Sequence, residues 1–420
     1  MKNHKLKTGL IIFLLLVVII YLIPAPQADF FELYHQKDKY AERLKDFQQR
    51  PTKTLLVDGV EWRYYAGGNG DETILFLHGM GGAYDLWWNQ VATFESDYRV
   101  VSYSLPEEIH SLKVAGEGVI AILDREKVDK FIAVGTSMGG YITQYLLQKF
   151  PHRVEKAVLG NTFPPNNLIR GKNDATRKLL PFVPEFIISK LGEKKFNNEI
   201  LPAAHRSELL KAFLPSLPFS KRQFINRYDI VVDVMTVNPN QYAVKRIPKL
   251  IIESDNDPLI EPELRAQLKA LYPGAEVQTF HNEGHFPYIN AADAYNRVLR
   301  AFLKKPNAYQ QAENTINRYF EGRKNADVKL LRQAFSPNAM LQTVKDDAIL
   351  SIPLENYLTV VEKQGKTAVK TAITAGEITQ NIGAFKTVFQ YRDKSYTDYL
   401  TLVKMSDGWK IVNKTFTKDH

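Results

Sequence analysis

The stretch KFIAVGTSMGGYITQYLLQKF, residues 130–150, allows few folds. An apolar run enters Gly-Thr-Ser-Met-Gly, and a helical pattern begins immediately after it. A serine placed there has two readings. It caps the helix, as serines often do, or it sits on a forced strand-to-helix turn that exposes its hydroxyl. Gly135 and Gly139, two residues either side of Ser137, let neighbouring chains pack close and favour the second reading. Such a turn also aims the N–H of Met138 and the positive end of the following helix at whatever Ser137 attacks.

The surrounding pattern supplies the sheet that this turn needs. Residues 54–67 read as a hairpin turning at Asp58-Gly59. "ETILFLHG", "YRVVSYS", "KFIAVGTS", "VEKAVLGN", "KLIIESD" and "AEVQTFHN" then read as strands, most of them continuously apolar, separated by helical stretches. Unbroken apolar strands alternating with helices imply a doubly wound, mostly parallel α/β sheet covered on both faces. Residues 162–246 interrupt this alternation with Pro-, Phe- and Lys-rich helical sequence. An insertion of that size between parallel strands is expected to form a helical cap over their carboxyl edge.

Three further segments fall in order around Ser137. "LHGMGG" (77–82) follows an earlier strand, and Met80 N–H there is a candidate oxyanion donor beside Met138 N–H. "IIESDNDPLI" offers an acid just past a buried strand; Asp257 lies further out on the loop than Asp255 and is preferred. "FHNEGHFPYI" places His285 after the last strand as a general base, whereas His281 lies inside the strand pattern. The order Ser, Asp, His follows the chain. Cap residues Phe163, Phe182, Phe186, Phe213 and Phe219 are expected either to meet an apolar acyl or aryl group or to pack the cap onto the sheet.

The ends of the chain have other compositions. Lys2, Lys5 and Lys7 precede an apolar run from Gly9 to Ile23. It reads as an uncleaved membrane anchor with the bulk of the chain extracytoplasmic, the alternative being a signal segment that is cut to leave a secreted protein. Residues 1–28 form this segment, 29–50 a charged helical stalk or a helix lying on the body, and 51–304 the sheet domain. Residues 308–420 turn from helical to alternating β pattern, an α+β domain. Formal charge is +9, spread along the chain without a basic block, so nucleic-acid binding is not expected. The 420 residues include no cysteine, which excludes disulfides, thiolate metal sites and a cysteine nucleophile.

"LHGMGG", "GTSMGG", "SDNDPLI" and "EGHFPYI" together make residues 54–304 resemble an α/β-hydrolase. The resemblance implies a serine hydrolase with Ser137, Asp257 and His285 as triad, Met80 and Met138 as oxyanion donors, and a small-molecule ester or acyl substrate. It calls for no metal and no cofactor. A serine nucleophile argues against the dehalogenase and epoxide-hydrolase branches, which use aspartate there. "SYSLPEEIHSLKVAGEG" departs from the segment many relatives carry after the fourth strand. With "GTSMGG" and "LGNTF" it is similar to the maspardin branch of the fold, which leaves a non-enzymatic binding scaffold as the alternative. The C-terminal domain resembles the nuclear transport factor 2-like cone, which implies small-ligand binding or self-association. Trp409, Tyr391, Tyr396 and Tyr399 are expected there as core and cone lining.

Overall fold

The computed structural model describes residues 23–419 together with residues 12, 15 and 19–21. The apolar run 9–23, read above as a membrane anchor, thus falls mostly outside the described residues. Among those described, no helix is long and apolar enough to cross a membrane. The chain divides into two compact units, residues 1–239 with 248–304, and residues 240–247 with 305–420.

The first unit is built on an eight-stranded mixed sheet in the order β1-β2-β4-β3-β5-β6-β7-β8. β1 (Lys53–Val57) and β2 (Val60–Gly68) form the antiparallel edge. β3 (Thr73–Leu77), β4 (Arg99–Ser104), β5 (Phe131–Thr136), β6 (Val154–Gly160), β7 (Lys249–Ser254) and β8 (Glu276–Phe280) run parallel. β3, β5 and β7 are buried at every position, which is why they read as continuous apolar runs and not as alternating ones. Trp87, Phe94, Val100, Val134, Tyr295 and Leu299 fill one packed cluster against the sheet.

Residues 29–50 form two helices, Phe30–Leu33 and Lys39–Gln49, each capped by an aspartate side chain, Asp29 and Asp38. They lie on the body: Phe47 packs on Tyr65 and Tyr84, and Phe30 packs on Phe213. The insertion after β6 is helical throughout its regular elements, with helices Leu168–Leu179, Glu185–Lys195, Glu208–Phe213 and Lys221–Val231. It meets the carboxyl edge of the sheet, where Tyr141 Oη donates to Asp233 O and Asn256 Nδ2 donates to Ala203 O.

The second unit opens with helices Ala308–Asn325 and Val328–Ala334. Six strands follow, in the order β10-β9-β14-β13-β12-β11, with β12 spanning Ile382–Gln390 and helix Leu354–Gln364 lying between β10 (Ala348–Pro353) and β11 (Lys370–Thr379). Every pairing is antiparallel except β14 (Gly408–Asp419) with β9 (Phe335–Lys345). Residues 240–247 belong to this unit because Tyr242 Oη donates to Glu313 and Arg246 pairs with the same carboxylate. Trp409 is buried, but Tyr399 is 54% exposed. On β13 (Ser395–Met405) Leu400 and Leu402 face inward, and the pleat turns Tyr399 outward.

Candidate active site

Ser137 stands between β5 and helix Met138–Lys149 with φ 54° and ψ −122°. That region is costly for any residue with a Cβ, so packing must hold it there. The two flanking glycines show how. A Cβ on Gly135 would fall 2.3 Å from Gly139 O, and one on Gly139 would fall 2.2 Å from Leu77 O. Ser137 N–H donates to Gly160 O at 2.9 Å, and Thr162 Oγ1 donates to Ser137 O at 2.6 Å. No side-chain hydrogen bond from Ser137 caps the helix. Met138 is the first helical residue, and its N–H is one of the donors a helix cannot satisfy internally.

The loop after β3 approaches this turn directly. A Cβ on Gly79 would sit 3.1 Å from Ser137 Cβ and 3.7 Å from its Oγ. Gly79 O accepts from His78 Nδ1 at 2.7 Å and from Gly82 N–H at 3.0 Å. Leu105 N–H donates to His78 Nε2 at 3.0 Å, so the proton on His78 resides at Nδ1. Burial, with the Arg227 charge nearby, pulls the His78 pKa down to about 3 and keeps the ring neutral. With Gly79 O held this way, the planar trans peptide turns Met80 N–H to the opposite side.

Arg227, from the last long cap helix, is 1% exposed. Its guanidinium donates to the carbonyls of Met80, Gly82 (2.8 Å) and Leu105 (2.9 Å). Burial pulls its pKa down to about 9, which leaves the cation intact at neutral pH. The cap thereby grips the 78–82 loop through its backbone.

The acid and the base arrive from the ends of β7 and β8. His285 Nδ1 lies 2.8 Å and 3.0 Å from the two carboxylate oxygens of Asp257. Asn161 Nδ2 and the N–H groups of Leu259 and Ile260 also donate to this carboxylate. Burial works to raise the Asp257 pKa, but the His285 ring and these hydrogen bonds outweigh it and hold the carboxyl below its usual value. Asn161 Nδ2 also reaches Gly284 O at 3.3 Å. The segment 160–162 therefore ties the Ser137 turn to the loops bearing Asp257 and His285.

Asp255 and His281 form a different pair. They meet at 2.7 Å on the surface, with side chains 43% and 76% exposed. Among the cap aromatics, Phe213 is fully buried against Trp88 and Phe30, and Phe163 packs on Tyr141, so both serve the core. Phe182 is 74% exposed. Sequence reasoning missed Asn161, His78 and Arg227. An Asn just past a buried strand and a His opening the Gly-rich loop are faint signals; Arg227 gives none.

Residues 74–298 match the model of the alpha/beta hydrolase family, and residues 307–417 match a model described as "Putative lumazine-binding". A 2-hydroxy-6-oxononadienedioate/2-hydroxy-6-oxononatrienedioate hydrolase of Escherichia coli (strain K12) is 27% identical over 268 residues, 57% of this chain and 89% of the relative. Among solved structures, a hydrolase from Pseudomonas aeruginosa PA01 superposes with a TM-score of 0.53 at 19% identity, covering 61% of this chain and all of that one. An enol-lactonase from Burkholderia xenovorans LB400 gives 0.52 at 19% identity, covering 60% of this chain and all of that one. At that identity both speak for the fold alone.

Proposed function

The chain belongs to the alpha/beta hydrolase family, and on that premise we propose that it hydrolyses carboxylic esters through an acyl-enzyme on Ser137. The observation that carries this reading is a serine at positive φ on a strand-to-helix turn, on the same sheet edge as a buried Asp257–His285 pair. In this reading His285 Nε2 takes the Ser137 proton, while Nδ1–H stays with Asp257, which fixes the tautomer and stabilises the imidazolium. Ser137 Oγ attacks the ester carbonyl. The N–H groups of Met80 and Met138 receive the oxyanion, and His285 returns its proton to the leaving alcohol. Water then opens the acyl-enzyme by the same route.

A second reading is hydrolysis of a C–C bond or a thioester on the same residues; the Escherichia coli relative, named a hydrolase of a 2-hydroxy-6-oxononadienedioate or -nonatrienedioate, makes such an oxo acid the substrate to try. The apolar run 9–23 is proposed to anchor the chain, with the units outside the cytoplasm. The C-terminal unit is proposed to bind a small ligand or to self-associate. A fluorophosphonate probe tests the central reading. Labelling of wild type that Ser137→Ala abolishes supports it, and no labelling of the folded protein leaves a binding scaffold. Ester, thioester and diketone panels then separate the two chemistries.

A further inference from the structure

The cap concentrates both charge and exposed apolar side chains. The part of it that belongs to the first unit, residues 162–239, holds twelve Lys and Arg against seven Asp and Glu. Helix Leu168–Leu179 buries no residue, and helix Glu185–Lys195 buries only Ile188. Leu179, Phe182, Ile187 and Leu191 are 64%, 74%, 37% and 61% exposed. Ile187 and Leu191 are four residues apart on one helix and share a face; Leu179 and Phe182 sit at the turn just before it. Lys178, Lys190, Lys194 and Lys195 flank them and are all exposed. Lys178 and Lys195 pair only with Asp174 and Glu199 on their own stretches of chain, and such exposed pairs bind weakly.

The N-terminal segment ends at the same place. Tyr21 Oη donates to Phe182 O, Ala25 N–H donates to Glu185 at 3.2 Å, and the Lys221 ammonium lies 5.4 Å from the Tyr21 ring centroid. Ile19, Ile20 and Ile23 are exposed as well. Apolar tips ringed by ammonium groups are poorly placed against water. They match a lipid surface, where the tips enter the headgroup–acyl boundary and the lysines meet phosphates. We propose that the 178–195 face of the cap docks on a bilayer surface carrying anionic headgroups. The continuity of this face with the apolar N-terminal run selects a membrane over a protein partner. The proposal does not depend on the role of Ser137.

The absence of cysteine makes the test direct. The full chain is prepared with single nitroxide-labelled cysteines as Phe182→Cys, Leu191→Cys and, as a reference at the amino edge of the sheet, Lys130→Cys. Each is mixed with phosphatidylglycerol vesicles or pure phosphatidylcholine vesicles. Collision with oxygen, which enriches in lipid, is compared with collision with a water-soluble nickel chelate. On phosphatidylglycerol the oxygen-to-nickel ratio is expected to rise several-fold at 182 and 191 and to stay flat at 130. Combining Lys178→Glu, Lys190→Glu, Lys194→Glu and Lys195→Glu is expected to return the ratio to the phosphatidylcholine level. Equal nickel access at 182, 191 and 130 on phosphatidylglycerol overturns the proposal, since the run 9–23 alone then accounts for any binding. Dipolar broadening between labels without an oxygen gain also overturns it, by assigning the face to a second copy of the chain.

Discussion

Asp257 in the first unit and Asp398 in the second are each buried beside a base, and the two are held differently. In the first unit Asp257 is fixed by Asn161, by two backbone N–H groups and by His285, which lies on a loop at the sheet edge. In the second, Oδ2 of Asp398 accepts from Lys414 Nζ at 3.0 Å and from Tyr319 Oη at 2.7 Å. Oδ1 of Asp398 meets no donor among the described residues. Lys414 lies in the middle of β14, with the rings of Tyr319, Tyr357, Phe389 and Phe416 around its ammonium. Burial lowers the Lys414 pKa, with Asp398 opposing. The contrast lies in the element, not the residue types. A base on a loop at a sheet edge can serve a substrate. A base pinned in a strand interior under four rings serves the core.

The sharpest break of this contrast is on the loop side. His285→Ala is expected to lower ester turnover by about 10⁴-fold and Asp257→Asn by about 10³–10⁴-fold, with the protein still folded by circular dichroism. A variant retaining wild-type kcat/KM would remove the pair from the chemistry. On the strand side the expected loss is stability. Lys414→Met strands the Asp398 carboxylate and should cost about 3–5 kcal/mol in urea unfolding, while Ser137 labelling in the folded protein stays unchanged; adding Asp398→Leu should restore most of the loss.

His78 gives a smaller, pH-dependent effect. Its folded pKa of about 3 lies below the unfolded value, so the unfolded chain takes up a proton that the folded chain refuses. Stability should therefore fall as pH drops below about 6.5, by about 2 kcal/mol from this residue between pH 7 and 5. His78→Asn should flatten that limb of the unfolding curve. The smallest effect concerns the surface pair. Asp255→Asn and His281→Ala should change neither turnover nor melting temperature, and a large loss in either would assign the acid wrongly.

The strand-to-helix turn at Ser137 is legible in the sequence because it depends on neighbours in the chain. An apolar strand, two glycines and a helix start lie within 21 residues, and local sterics decide the rest. The alternation of β3 to β8 with helices is legible for the same reason. The choice between Asp255 and Asp257 is legible only in part, from the position of Asp257 further out on the loop. Both follow the same strand and both face a histidine on the next loop; backbone direction buries one pair and exposes the other.

By itself the sequence determined the parallel sheet, the forced bend at Ser137 and the position of His285 beyond the last strand, since each follows from periodicity or local chain geometry. Only the tertiary structure decided what surrounds them. Asn161 reaches Asp257 across 96 residues and Arg227 reaches Met80 across 147. Such contacts depend on which loops the fold brings to one edge, and no local pattern encodes that.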